Sequence, residues 1–433
     1  MKNEKKIALT PPQQVIRTLS DRIVAAQKPI RILDAIKWSS DIQADFFKNK
    51  FKKLPRVDAD YYRRNPLPYD PDYKIEEFYD IEHEIHHALG QFNAVGNIML
   101  RICREYREAI QMLKKRGQPE FSKISQDLYG SANDAFFAGG PSLDDLATVL
   151  SEPLANLKNS VNNELDEKCY TSSEAVEILG ANLNKYFTDP EQSVKVIISD
   201  GIVADAAAGA DVIKLRSDVK FSKRDLRILE VHEGWVHVGT TLNGLAQPIC
   251  TFLSIGPPSS TVFQEGLAVI VEIFTFASHP NRIQKLTNRI KSINMATQGA
   301  NFIEIFNFFL EQGIAEEESY DYTMRVFRGS TPVGGPFTKD LSYSKGFVLI
   351  YNYIRLAVRN GLANRVPLIF LGKTSIEDLH IYEELIKEGF LVPPKYLPPH
   401  FRDLAGLCCW MSYSLFFNKL SLEKCSAEYK GFL

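Results

Sequence analysis

From Ile75 to Lys115 the chain runs without a proline, and apolar residues return at Phe78, Ile81, Ile85, Leu89, Phe92, Val95, Met99, Ile102, Tyr106 and Leu113. That three-or-four spacing marks one face of a helix, and a stripe this long must be buried against other elements. A mostly helical protein follows. The loop N-P-L-P-Y-D-P-D (Asn65 to Asp72) leads into the run, and Gly117 with Pro119 ends it. More helix is predicted to about residue 187, with a break at Thr188–Pro190.

The pattern then changes. V-K-V-I-I-S-D (Val194 to Asp200) is rich in β-branched residues, and D-V-I-K-L-R (Asp211 to Arg216) alternates as a half-buried strand does. The small-residue stretch A-D-A-A-A-G-A lies between them. Helix resumes after Ser222, whose capping box pairs it with Asp225. The expected fold is α+β, mostly helical with a small mixed sheet in the middle. Three regions are predicted: an N-terminal segment 1–72, a helical region 73–190, and a region 191–433 packed with the second as one unit.

Composition removes several classes. The 433 residues are 45% hydrophobic, as a folded chain with a large core is, and a net charge of −2 argues against a nucleic-acid partner. Basic residues concentrate only at Lys2, Lys5 and Lys6 and in K-N-K-F-K-K (Lys48 to Lys53). The two longest apolar runs are interrupted by Glu272 and Arg355, so no membrane span is expected. The first residues carry no apolar h-region, and the six scattered cysteines include no C-x-x-C; both features point to a cytoplasmic location.

Two histidine clusters compete as metal sites. His83, Glu84 and His87 match H-E-x-x-H, the spacing that sets two ligands on one helix face. Both histidines lie off the apolar stripe, however. The next carboxylates, Glu105 and Glu108, fall on what reads as the same unbroken helix, with Glu105 roughly 27 Å along its axis from His87. This cluster is expected to be a solvated face.

His232, Glu233 and His237 form H-E-G-W-V-H, one residue longer and flanked by Val231, Trp235, Val236 and Val238. Buried ionisable groups need partners. Breakers at Gly239, Gly244, Pro248 and G-P-P-S-S let the chain reverse and bring Glu265 back on a second apolar helix. An i,i+5 pair lies ~140° apart on an ideal helix, so both histidines reach one ion only if the turn widens, as in a π-bulge, and Gly234 is the place for it. The residues alone leave open a metal site and a pair of satisfied core histidines. Glu272, seven residues after Glu265, is a candidate partner for a histidine N–H.

T-V-F-Q-E-G-L-A (Thr261 to Ala268) lies 24 residues beyond His237. With H-E-G-W-V-H, R-E-Y (Arg104 to Tyr106), F-S-K-I-S-Q-D-L-Y-G (Phe121 to Gly130), D-V-I-K-L-R, R-V-F-R-G (Arg325 to Gly329) and G-P-F-T-K-D (Gly335 to Asp340), it resembles the QEGLA-motif family of zinc metallopeptidases. The resemblance spans about residues 75 to 400. Bacterial members are described as modulators of flavohaemoglobin expression; eukaryotic relatives include the microtubule-associated tyrosine carboxypeptidases, which act on α-tubulin. The resemblance implies a zincin-like metallopeptidase core in 191–433, with the small sheet ahead of the H-E-x-x-x-H helix. It also implies one Zn2+ per chain on His232, His237 and Glu265, with Glu233 as general base.

The expected function is therefore a zinc carboxypeptidase that trims a protein or peptide C-terminal tail. A free edge at Asp211–Arg216 could hold an extended peptide, with Lys214 and Arg216 on one face. Arg325, Arg328 and Lys339 are candidates for the substrate carboxylate, and Tyr343 for the oxyanion. A silent binding protein on the same fold, and a zinc hydrolase of non-peptide amides, remain as alternatives.

Overall fold

The stripe at Ile81, Ile85, Met99 and Ile102 is buried, but two helices carry it. The computed structural model describes residues 9–157, 167–189, 192–200, 202 and 204–431, so Lys2, Lys5, Lys6 and Pro190 lie outside it. In place of the single helix expected, one helix spans Pro71–Leu89 and the next Ala94–Lys114. Gly90 stops the first with φ +74°, and Asn93 starts the second by accepting the Gly96 N–H at 2.8 Å. The two helices fold back on each other, joined by Arg107 and Glu82 at 2.9 Å. Both face the same core, so the apolar period passes through the turn and hides it. Phe92, counted in the stripe, sits on the turn and is 93% exposed.

That reversal also overturns the long axial separation assigned to Glu105. Glu105 still does not join His83 or His87: it binds Arg101 at 2.9 Å and accepts the Ser259 N–H at 2.8 Å. His83, Glu84 and His87 are exposed along a groove against the helix Pro11–Gln27, where Glu84 pairs with Arg22.

One apolar core draws on residues from Ile16 to Met411, including Phe78, Leu183, Trp235 and Leu267. A second, rich in aromatic rings, packs Trp38 and Phe46 against Phe302, Phe306 and Tyr320. Trp38 stacks on Phe302 with centroids 5.7 Å apart.

The sheet has three strands, β1 (Lys195–Ile198), β2 (Ala206–Ala208) and β3 (Val212–Leu215), in the order β1-β3-β2. β1 runs parallel to β3 and β2 antiparallel. The expected free edge at Asp211–Arg216 is therefore wrong: β3 is central and paired on both sides. The alanine stretch read as a connector supplies the outer strand β2. Small side chains hide a strand because they leave no apolar alternation to read.

After the sheet, Ser222 caps the helix Lys223–Leu229 through the Asp225 N–H at 3.0 Å. The chain continues into a π-helical segment, Glu230–Val238, and then the α-helix Gly239–Leu245. Gly239 does not break the helix; its N–H reaches back five residues to the Gly234 carbonyl. Reversal comes only at Ala246–Gly256, before the helix Pro258–Phe274 that bears Glu265.

Gly234 has a second role beyond the widened turn. A Cβ there would lie 2.4 Å from Leu183 Cδ2 on the helix Ser172–Tyr186. On helix propensity alone Gly234→Ala gains about 1 kcal/mol. The collision reverses the sign, and a net loss of about 1–2 kcal/mol is expected by urea denaturation. Because a flexible side-chain end is the obstacle, the loss should shrink in a Leu183→Ala background; an unchanged loss would place the constraint in the backbone.

Candidate functional site

The π-helical turn puts His232 and His237 on one side of their helix, because a turn closed by i→i+5 bonds returns position i+5 close to the face of position i. Their rings lie 4.8 Å apart at 85°. The Glu265 helix crosses beside them. Glu265 Oε2 sits 3.7 Å from His232 Nε2 and 3.6 Å from His237 Nε2. Donors bound tetrahedrally at ~2.1 Å would be separated by about 3.4 Å, so this spacing suits one small cation. Among the described residues, His232, His237 and Glu265 are the one group of three or more His, Cys, Asp or Glu whose ligand atoms converge in this way.

The surroundings favour such a cation. Glu265 Oε2 is buried without a hydrogen-bond partner, while Oε1 accepts from Lys339 Nζ at 3.0 Å. Burial would raise the Glu265 pKa, but Lys339 and the two histidines hold it well below the usual carboxylate range. Burial would lower the His232 pKa, yet Glu265 and Glu272 push it up to about 10. The pocket thus attracts positive charge between its imidazoles and carboxylates. An orphaned carboxylate oxygen and two Nε2 atoms are a donor set that zinc accepts.

A second layer of side chains braces this group. Glu272 Oε1 lies 2.6 Å from His232 Nδ1, and Arg282 binds Glu272 through Nε at 3.0 Å and Nη2 at 2.8 Å. Burial opposes ionisation of Glu272, but Arg282 and His232 together bring the pKa down to about 2. An ionised Glu272 makes Nδ1 the donor, so a cation that displaced the Nε2 proton would meet the Nε2 lone pair. Lys373 donates to the His237 carbonyl at 3.0 Å, to Thr240 Oγ1 at 3.1 Å and to Gln264 Oε1 at 3.0 Å, tying the end of the π-turn to the Glu265 helix. Burial pulls its ammonium down to about 7, against Glu265 and Glu233.

Glu233 stands beside the centre rather than in it. Its Oε1 is 3.9 Å from His232 Nε2, and its Oε2 accepts the Ala208 N–H of β2 at 3.1 Å. The outer strand of the sheet therefore borders this carboxylate. The Tyr343 ring stacks 6.2 Å from His232 and remains partly exposed.

The residues predicted for substrate binding divide. Lys214 lies on the central strand, and Arg216 pairs with Asp218 at 2.7 Å and Asp205 at 3.9 Å, so neither lies on a free strand edge. Lys339 is held by Glu265. Arg325 grips both oxygens of Asp340, at 2.7 and 2.9 Å. Arg328 is buried with Nε unpaired.

Lys373, Arg282 and Arg289 were missed. Arg282 lies beyond the end of the Glu265 helix, on the next one, Pro280–Thr297, and Lys373 sits in an aperiodic loop, so no local pattern marked either. Gln264, next to Glu265 in Q-E-G-L-A, was legible as part of the motif but not as the anchor of Lys373.

Close packing sets the depth of Glu265. A Cβ on Gly266 would fall 2.0 Å from the Gly346 carbonyl carbon, so the Glu265 helix and the helix Ser342–Arg359 touch backbone to backbone. This contact brings Tyr343 and Glu265 to one centre.

No curated protein matches the chain. A family model described as microtubule-associated tyrosine carboxypeptidase matches residues 44–419, most of its length. The chain belongs to this family, whose description implies a carboxypeptidase-like function.

Proposed function

We propose that the protein is a zinc-dependent carboxypeptidase, with His232, His237 and Glu265 as ligands of one Zn2+, Glu233 as general base, and a protein or peptide C-terminal tail as substrate. The observation that carries the reading is the buried, unpartnered Glu265 Oε2 facing both histidine Nε2 atoms. When bound, zinc supplies Lewis acidity and lowers the pKa of water to about 7.

The remaining steps belong to the chain. Glu233 lies close enough to the centre to take the proton of an attacking water and later pass it to the leaving amine. The N–H of Ala208 holds Glu233 in place. β2 lies at the sheet edge, so an extended tail can add alongside it with its scissile carbonyl over the centre. Glu272 and Arg282 keep His232 in the tautomer the ion needs. Tyr343 is the candidate hydroxyl for the developing oxyanion.

Elemental analysis tests the metal. Wild type and His87→Ala are expected to hold about one zinc per chain, and His237→Ala none. Loss in His87→Ala with retention in His237→Ala would move the centre to the exposed cluster.

A further inference from the structure

Three arginines converge on one carboxylate beside this centre. Arg325 occupies both oxygens of Asp340, leaving Arg289 Nε at 3.8 Å and Arg328 Nη2 at 4.0 Å, too far for hydrogen bonds. Arg289 Nη1 and Arg328 Nε are buried with no partner at all, and the two residues are only 9% and 7% exposed. One negative charge thus faces three buried positive ones. Guanidinium groups are rarely left so without a function, because each unpaired N–H and each uncompensated charge costs free energy. Burial and Arg325 pull the Arg328 pKa down to about 10, as expected where cations crowd.

The cluster adjoins the reacting centre. The Arg289 guanidinium lies 4.3 Å over the ring of Tyr343, the same ring that stacks near His232. Lys285, one turn earlier on the Arg289 helix, borders the same region. Burial is the main cause that pulls its ammonium down to about 8, and its Nζ lies 4.8 Å over the Tyr322 ring. Arg282, Lys285 and Arg289 recur at three- and four-residue spacing and so line one helix face.

We propose that Arg289, with Arg328 beside it, forms the subsite that receives the α-carboxylate of the residue to be released. The assignment rests on the carboxypeptidase reading and narrows it. Of the cations named from sequence, Arg325 and Lys339 are bound to Asp340 and Glu265, whereas Arg328 keeps an unsatisfied N–H, as does Arg289, which the sequence did not mark. A planar fork with spare donors suits a carboxylate, and Arg289 and His232 both neighbour the Tyr343 ring, at 4.3 and 6.2 Å from its centroid. A side-chain carboxylate of an acidic tail has the same chemistry, so the test must tell the two apart.

The test is calorimetric titration of the full chain as isolated with N-acetyltyrosine, N-acetyltyrosinamide and N-acetylglutamic acid α-amide. Wild type should prefer the free acid over its amide by about tenfold, the worth of one charge-assisted hydrogen bond, and should bind the glutamyl amide no better than the tyrosyl amide. Arg289→Gln should lose most of that preference, and Arg289→Lys should keep part of it. The thermal midpoint of Arg289→Gln should fall little, since the guanidinium gives up no hydrogen bond, only its contact with the Tyr343 ring and a 3.8 Å approach to Asp340; a large fall with the preference intact would make Arg289 merely structural and overturn the proposal. Equal binding of acid and amide by wild type, or preference for the glutamyl amide, would overturn it as well.

Repeating the titration after chelation separates the two readings. The subsite touches no proposed zinc ligand, so its preference for the acid should survive removal of metal. A preference that vanishes with the metal, and persists in Arg289→Gln before chelation, would place the carboxylate on the ion and sink the subsite. A chain that holds no zinc but keeps the Arg289-dependent preference would sink the peptidase reading and leave the subsite standing.

Discussion

Glu233→Gln is expected to lower release of C-terminal residues about 10²–10⁴-fold while leaving zinc bound. The magnitude is that of removing a positioned general base. Retention of the metal follows from geometry, since the three convergent ligand atoms belong to other residues and the Glu233 carboxylate is already turned toward the Ala208 N–H. Glutamine keeps the shape and an oxygen for that N–H, so the fold should not suffer. Glu265→Gln is the contrast: it removes the anionic ligand and should lose both metal and activity. Digestion of a peptide library, read by mass spectrometry, supplies the activity. One-residue losses from C-termini support a carboxypeptidase, internal cuts an endopeptidase. Biological function preserved in Glu233→Gln would turn the argument toward a binding protein on the same fold.

Gly266→Ala should destabilise the protein by about 3 kcal/mol or more, at the upper end of overpacking costs. Most overpacked side chains can rotate away from their neighbours. Here the added Cβ meets backbone, 2.0 Å from Gly346 C and 2.4 Å from Phe347 N. Relief requires the two helices to separate. Gly346→Ala meets the Val262 carbonyl oxygen at 2.0 Å from the other side and should behave alike. Separation would also draw Glu265 from His232 and His237, so zinc affinity should fall together with the urea midpoint. Gly180→Ala is the control: it lies within a helix with open space around it, and alanine there should be neutral or stabilise by up to about 1 kcal/mol. Equal losses at both positions would mean that packing at the helix crossing is not the cause.

The grouping of site residues could be read because local chemistry carried it. An i,i+5 histidine pair in an apolar helix demanded a widened turn with a glycine inside, and a π-helical segment with Gly234 at its middle is what forms. The breakers after His237 allowed a return, although Gly239 and Gly244 lie within helix and the chain reverses later. Periodicity misled at Gly90, where two helices share one core and their stripes join across the turn. It misled again at Ala206–Ala208, where three alanines make a strand without a signature.

The sequence by itself determined what is local: the mostly helical class, the capped entry to the histidine helix, the widened turn, and the exposed setting of the strict H-E-x-x-H. These follow from spacing, capping and polarity within a few residues, which the chain carries wherever it folds. Tertiary structure alone decided which cations are spent and which are spare. Lys339 on Glu265, Arg325 on Asp340, Arg282 on Glu272 and Lys373 on His237 are pairings between segments distant in sequence. A charge in the sequence has no partner until the fold brings one. Arg289 stood out only when Asp340 was seen to be fully engaged by Arg325, leaving a buried guanidinium with donors to spare.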